Sequence, residues 1–154
     1  MAAGDDVDSI TDAIVTASRV LVSLSARSIA SVDPQLTIPQ FRVLVILETL
    51  GVATLTELAG RLDVQKSTAG RMVDRLVQSG TFTRTENPES RRERNVELTP
   101  AGRRIVERVT RRRRAEIGEI VAGMPDRQRT GLVRALEAFA AAADEPAVDA
   151  AYWM

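Results

Sequence analysis

Apolar residues recur at three- and four-residue spacing through most of this chain, which is the pattern of helices with one buried face. The first such segment extends from about residue 8 to residue 30, and Asp33-Pro34 ends it because the residue before a proline disfavours the helical conformation. Its apolar stripe is wide and includes Ile10, Ile14, Val15, Ala17, Leu21, Val22, Leu24 and Ile29. A helix this apolar needs more partner surface than one small domain supplies.

The next two helices are marked by their first residues. One opens around residue 38, where Pro39 suits the first turn of a helix, and stops near Gly51. The other begins at Thr54, and the spacing from Thr54 to Glu57 is that of a capping box. In that motif each side chain accepts a hydrogen bond from the backbone N–H of the other residue, so the sequence itself predicts where this helix starts.

A tight turn at Asp63-Val64 separates the third helix from a fourth, predicted from about residue 65 to residue 79, with Gly80 in the left-handed position that follows. Two short helices joined by such a turn are the geometry of a helix-turn-helix, whose second helix enters the major groove of DNA. The polar and basic residues of its first turns are the candidate base readers: Gln65, Lys66, Ser67, Thr68 and Arg71. Arg75, one turn further on, is expected to contact a phosphate or to be structural. The alternative is an ordinary surface helix with a polar face.

The periodicity changes to alternation at residues 81–85 and again at residues 95–99, and the segment between them is polar and rich in turn formers. This pattern predicts a β-hairpin with a long charged tip that carries Arg91, Arg92 and Arg94. A narrow minor groove concentrates negative potential and attracts an inserted guanidinium group. The hairpin would therefore allow the fold to read two grooves, whereas the alternative for the tip is a solvated loop.

Two more helices are predicted after the hairpin, from about residue 101 to 123 and from about residue 126 to 142, with a break at Met124-Pro125. Tyr152 and Trp153, in the loose tail, are expected to be packing residues. The predicted fold class is mainly α with a small β-hairpin wing, in which a winged helix-turn-helix domain is joined to a helical region.

The net charge of zero conceals a separation of charge along the chain. Residues 61–114 contain 15 Lys and Arg against 7 Asp and Glu, a net charge of +8, whereas the remainder carries −8. A basic segment on an acidic body is typical of a nucleic-acid-binding surface. A solvated helix face would give the same count.

The chain contains no Cys and no His. Zinc sites, thiol redox sensing, cysteine nucleophiles and histidine bases are therefore excluded, and we expect neither an enzyme nor a bound metal or cofactor. The acidic start does not have the pattern of a signal peptide, and the sequence shows no uninterrupted apolar run of about 18 residues. We therefore expect a cytoplasmic protein without a membrane span.

In this order and spacing, the motifs resemble the MarR family of bacterial regulators over about residues 10 to 140. The matching segments are Leu36–Leu44, Leu55–Ala59, Ser67–Leu76 followed by Gly80, Asn87–Arg92, and Leu98–Gly102. The resemblance implies that Arg92 corresponds to the family's minor-groove residue. It also implies a homodimer on a pseudo-palindromic operator in double-stranded DNA, and in many members release of DNA by a small phenolic or aromatic ligand.

The resemblance also implies a division of the chain. A helical dimerisation region would consist of residues 1–35 and 100–145, a DNA-binding lobe of residues 36–99, and a tail of residues 146–154. The effector would bind between the two regions, with candidate lining residues Phe41, Arg42 and Val45. Because the chain has no Cys, the thiol-based oxidant sensing of other members is excluded.

Two features leave alternatives open. The family usually has Asp where this chain has Ser90, so the wing is either looser here or held by Glu89 or Glu93 instead. The run Arg111–Arg114 cannot share one helix face. It is solvated or paired with acidic residues of the dimer, forms a basic ledge near DNA, or binds an anion.

The main hypothesis is a ligand-responsive repressor. The alternatives are a ligand-independent regulator or activator, and a winged helix used for protein contacts, which would not need arginines at the wing tip.

Overall fold

The computed structural model describes residues 2–147, with side chains from residue 6 onward, so Tyr152 and Trp153 of the tail lie outside the described residues. The helices are α1 (Ala2–Val32), α2 (Ile38–Leu50), α3 (Leu55–Leu62), α4 (Lys66–Gln78), α5 (Pro100–Ala122), α6 (Asp126–Arg129) and α7 (Leu132–Ala142). The strands are β1 (Val52–Thr54), β2 (Phe82–Thr85) and β3 (Asn95–Leu98). The chain divides into two compact units, the first ending at Thr110 and the second beginning at Arg111.

The core of the first unit lies where α2, α3, α4 and the sheet meet the end of α1 and the start of α5. Ile29, Leu44, Leu58, Val73 and Val109 are almost fully buried there. On α4 the buried residues are spaced by four and three, which is the periodicity of a helix with one buried face. The mainly helical fold with a β-hairpin wing is therefore confirmed.

The sheet has the order β1-β3-β2, and both pairs are antiparallel. β2 and β3 form the predicted hairpin, with Phe82 opposite Leu98 and Thr85 opposite Asn95. β1 was not predicted, since only three residues pair and Thr54 also caps the next helix. Such a short strand carries no alternation that sequence reading can detect.

Two capping boxes set the starts of α2 and α3. Thr37 with Gln40, and Thr54 with Glu57, exchange side-chain and backbone hydrogen bonds in both directions, which confirms the predicted start at Thr54. Asp63 ends α3 in the left-handed conformation with φ 53°. Asn and Asp tolerate this region best among non-glycine residues, so the turn of the helix-turn-helix is closed without a glycine.

The hairpin and α5 are joined through Thr81 and Thr99. The buried Thr81 hydroxyl donates to the Leu76 carbonyl (2.8 Å), and the Thr81 carbonyl accepts from the Thr99 N–H (3.0 Å). Thr99 in turn donates through its hydroxyl to the Gly80 carbonyl and accepts from the Gly102 N–H (3.1 Å). The base of the hairpin is thus fixed to the end of α4 and to the start of α5.

Helix α1 begins at Ala2, earlier than predicted, and most of its apolar stripe is exposed in the single chain. From Asp6 to Val32 it is long and apolar enough, by length and composition, to cross a membrane, and the most apolar 18-residue window is 17% buried. Mean hydropathy reaches this threshold without an uninterrupted apolar run, so a search for such a run does not detect the segment. The last turns differ from the rest, since Leu24 and Ile29 are buried.

The second unit contains the remainder of α5 together with α6 and α7. The single helix predicted from about residue 126 to 142 was wrong, because Gly131 adopts φ 82° and separates a four-residue α6 from α7. Helix periodicity continues across such a break, so the pattern does not reveal it. On α7, Val133, Leu136 and Phe139 are exposed.

We expect Ser28→Ala to stabilise the protein by about 1 kcal/mol, because an unsatisfied buried hydroxyl costs about 1 to 3 kcal/mol. Ser28 is 0% exposed, and within residues 2–147 its Oγ has no hydrogen-bond partner. Ser31→Ala is the matched control, since Ser31 is exposed and donates to the Ser28 carbonyl; its effect should stay within about 0.5 kcal/mol. Thermal unfolding measures both changes, and a Ser28→Ala protein less stable than wild type would contradict the prediction.

Candidate nucleic-acid interface

Helix α4 has one buried and one exposed face. Ala69, Val73 and Leu76 are buried. Gln65, Lys66, Ser67, Arg71 and Arg75 are exposed, and Thr68 is half-buried. The structure thus places all the candidate base-reading residues on or beside the first turns of α4, with Arg75 further along it.

The start of α4 differs from the starts of α2 and α3. Its N-cap residue, Gln65, makes no side-chain cap hydrogen bond, and its first turn contains no acidic residue. The first N–H groups of a helix have no intrahelical acceptor and carry a partial positive charge. An end left without a side-chain cap and exposed in this way favours a negatively charged group such as a DNA phosphate.

Two cations of α4 are already held by neighbouring acceptors. Arg71 donates to the Thr68 hydroxyl at 3.3 Å, one turn back along the helix. The Lys66 ammonium lies 3.4 Å from a carboxylate oxygen of Glu93, in the wing. Both side chains therefore have a preferred direction before any ligand is bound.

The wing tip is ordered by short polar contacts around Asn87. Its side-chain oxygen accepts from the Glu89 N–H (3.0 Å), and its carbonyl accepts from the Ser90 N–H (3.2 Å). Ser90, which stands where the resemblance expects Asp, accepts from the backbone N–H of Arg92 at 3.3 Å. A hydroxyl at this position can still hold the following turn, although it adds no charge.

Arg91, Arg92 and Arg94 are exposed, and among the described residues no hydrogen bond or ion pair engages their guanidinium groups. Arg84, on β2, differs because it forms an ion pair with Asp74 of α4. Sequence reasoning missed this pair, since ten residues and a change of secondary structure separate its members. The cations that remain available at the wing are therefore those at its tip.

Glu93 is the most connected residue of the wing. Its carboxylate accepts from both the backbone N–H (3.0 Å) and the hydroxyl of Thr56, on α3, and it also faces Lys66. The Thr56 hydroxyl and then the Thr56 N–H hold the pKa of Glu93 below its ordinary value of 4.5, so the carboxylate is charged at neutral pH. Of the two carboxylates proposed to replace the missing Asp, Glu93 makes these contacts; Thr56 was missed because it lies 37 residues away.

The candidate effector residues occupy different environments on α2. Phe41 belongs to the buried core and Val45 packs against that core, whereas Arg42 is exposed. Their role in ligand binding stays a prediction. Among the described residues, no group of three acidic side chains lies together in a way that could hold a metal ion.

The arginine run on α5 is divided among different environments, as its helical spacing requires. Arg112 forms an ion pair with Glu116, one turn further on, at 3.3 Å. Arg113 is half-buried, and burial lowers the pKa of its guanidinium group. Arg111 and Arg114 are exposed. Pairing within the helix thus accounts for Arg112.

The MarR family model matches residues 36–93. An uncharacterized HTH-type transcriptional regulator of Bacillus subtilis, YsmB, is 30% identical over 93 residues, which cover 60% of this chain and 64% of YsmB. This chain thus spans less than two thirds of the length of that curated relative.

Solved structures share the fold. The crystal structure of RV1404 from Mycobacterium tuberculosis has 54% identity and a TM-score of 0.87, and the match covers 93% of this chain and 97% of that one. A mutant MarR from E. coli complexed with operator DNA is 24% identical, with a TM-score of 0.66 over 87% of this chain and 95% of that one. The family model matches the helix-turn-helix and the wing through Glu93, and these relatives extend the likeness to most of the chain. This protein belongs to the MarR family of transcriptional regulators.

Proposed function

We propose that this protein is a sequence-specific, dimeric repressor that binds a pseudo-palindromic operator in double-stranded DNA. The proposal rests on one observation: an exposed α4 start without a side-chain cap occurs together with three wing-tip arginines that have no partner among the described residues. The α4 start suits a phosphate beside the major groove that its polar first turns would enter, and the arginines suit the minor groove. The operator-bound structure of the E. coli relative supports the same use of this fold.

Dimerisation is supported by apolar surface that a single chain leaves in water. Val7, Ile10 and Val22 on α1 are at least half exposed, as are Leu136 and Phe139 on α7. Large apolar side chains left exposed on a helix in this way indicate a contact with another protein. A second copy would bury it and would explain the hydropathy of α1 without a membrane. A folded monomer at low micromolar concentration, measured by analytical ultracentrifugation, would contradict the proposed dimer.

Release by a small amphipathic or aromatic ligand is the form of control that we propose. The chain has no Cys, so a thiol switch cannot act, and a ligand must instead bind two conformations with different affinity. Phe41, Arg42 and Val45 are the proposed lining residues. A screen of aromatic acids and lipophilic drugs that leaves operator affinity unchanged would remove the main support for this form of control.

The alternative is a winged helix used for protein contacts. It gives no reason for three exposed arginines at the wing tip, nor for an α4 start without a side-chain cap. Selection of bound sequences from random duplexes decides between the two functions. A palindrome with half-site centres about one helical turn apart supports the repressor, whereas recovery of no preferred sequence supports the alternative.

Sequence choice is expected to depend on Arg71. Arg71→Ala should change discrimination at one base pair of each half-site by about 1 to 3 kcal/mol, because a bidentate arginine–guanine contact carries that much preference. Arg75→Ala, on the same helix, is the matched control and should weaken all duplexes about equally, since phosphate contacts carry no sequence information. Affinities for single-base variants of the selected site measure both. If Arg71→Ala also weakens every duplex equally, Arg71 contacts the backbone.

A further inference from the structure

Glu93 connects the wing to both helices of the helix-turn-helix. Its carboxylate accepts two hydrogen bonds from Thr56, the second residue of α3, and lies 3.4 Å from the ammonium group of Lys66, the first residue of α4. Glu93 directly follows Arg92 and precedes Arg94. One side chain thus touches the starts of two helices from within the loop that carries the exposed arginines.

The contact with Thr56 completes the cap of α3. Thr54 accepts from the Glu57 N–H, and Glu57 accepts from the Thr54 N–H, which leaves the Thr56 N–H for another acceptor. Glu93 supplies that acceptor from across the fold. A carboxylate at the positive end of a helix forms a charge-assisted hydrogen bond, which is stronger than a neutral one. The loop is therefore anchored at a defined point rather than held only by its two strands.

The ion pair with Glu93 orients the Lys66 side chain but contributes little to the stability of the protein. The lysine side chain is 61% exposed, and ion pairs between exposed groups contribute little to stability. The pairing nevertheless keeps the ammonium group on the wing side of α4. It also partly neutralises Glu93, which would otherwise place a bare negative charge beside the cations of the wing.

We propose that Glu93 is a positioning residue that fixes the distance between the groove read by α4 and the groove entered by the wing. The inference rests on the proposed DNA-binding function. Because Arg92 and Arg94 adjoin the anchored residue, their backbone has a fixed position relative to α4. The operator would then require a fixed number of base pairs between its central bases and its flank.

Glu89 provides the matched control. It lies in the same loop and carries the same charge, but among the described residues its carboxylate makes no hydrogen bond or ion pair. Glu93→Ala and Glu89→Ala therefore raise the charge of the wing equally, whereas only the first removes the anchor. An effect of charge alone would be the same in both variants.

The first measurement needs no DNA. Hydrogen exchange of the Thr56 amide should become about tenfold faster in Glu93→Ala, because its acceptor is lost. It should stay unchanged in Glu89→Ala. Unchanged exchange of Thr56 in Glu93→Ala would overturn the anchor, and with it the positioning role.

The second measurement uses the operator obtained by selection. In each half-site, one base pair is inserted between the bases read by α4 and the flank entered by the wing. The insertion should weaken binding of wild type and Glu89→Ala about tenfold, but that of Glu93→Ala less than about threefold. If the inserted base pair weakens the binding of Glu93→Ala as much as that of wild type, the anchor does not position the wing, and the proposal fails. If wild type binds no duplex, the DNA-binding function and the positioning role fall together, while the exchange result for the anchor still stands.

Discussion

Gly102→Ala is expected to destabilise the protein by about 3 kcal/mol, at the upper end of what overpacking costs. A Cβ atom at this position would lie 2.3 Å from the Thr81 carbonyl oxygen and 3.1 Å from a methyl group of Leu98. The carbonyl cannot move away easily, because it accepts the Thr99 N–H that joins the hairpin to α5. The methyl group that alanine adds at this position must therefore displace the backbone at Thr81 or break that hydrogen bond.

Thermal unfolding should show a Tm about 10 °C lower for Gly102→Ala. Gly118→Ala, on the same helix, is the control, since a Cβ there would meet nothing within 4 Å. It should instead stabilise α5 by about 0.5 to 1 kcal/mol, because alanine has the higher helix propensity. A Gly102→Ala protein as stable as wild type would mean that α5 and Thr81 are not in close contact in solution.

Sequence reading succeeded where local signals and tertiary structure agree. The Thr54–Glu57 capping box set the start of α3, and the two alternating segments around a polar turn identified the hairpin of β2 and β3. It failed at Gly131, which interrupts a helix without interrupting its periodicity, and at β1, which is too short to alternate. At Gly131 the deciding feature is a backbone conformation, and at β1 it is the pairing with β3. The local pattern of residue types indicates neither.

In the candidate site, too, the sequence predicted the residues but not the contacts between them. The exposed positions at the start of α4 and the arginines of the wing follow from residue type and order. The contacts that orient them, such as those of Glu93 with Thr56 and of Arg84 with Asp74, join residues far apart in the chain. One sequence contains no signal for such pairs, so the structure was needed to show which carboxylate holds the wing and which arginine is already paired.

Arg92→Ala is expected to weaken operator binding about tenfold when the flank is A·T-rich, and less when it is G·C-rich. The Arg92 guanidinium is exposed and has no partner among the described residues, while its backbone is held by Ser90 and by the neighbouring Glu93. It is thus available to enter a groove from a fixed position. An arginine in a narrow minor groove gains from the enhanced negative potential there and reads groove width more than base identity.

The salt dependence of affinity separates this effect from a loss of general charge. Arg92→Ala removes one DNA-bound cation from each protomer, so it should reduce the slope of log affinity against log salt by about one unit per protomer, or about two units for the dimer, because fewer counterions are released. Arg127→Ala, an exposed arginine outside the proposed interface, makes the same charge change and should leave both flank preference and slope unaltered. Titrations of both flanks at several salt concentrations measure the two quantities. If Arg92→Ala matches Arg127→Ala on every flank, the wing tip is a solvated loop and the protein reads the major groove alone.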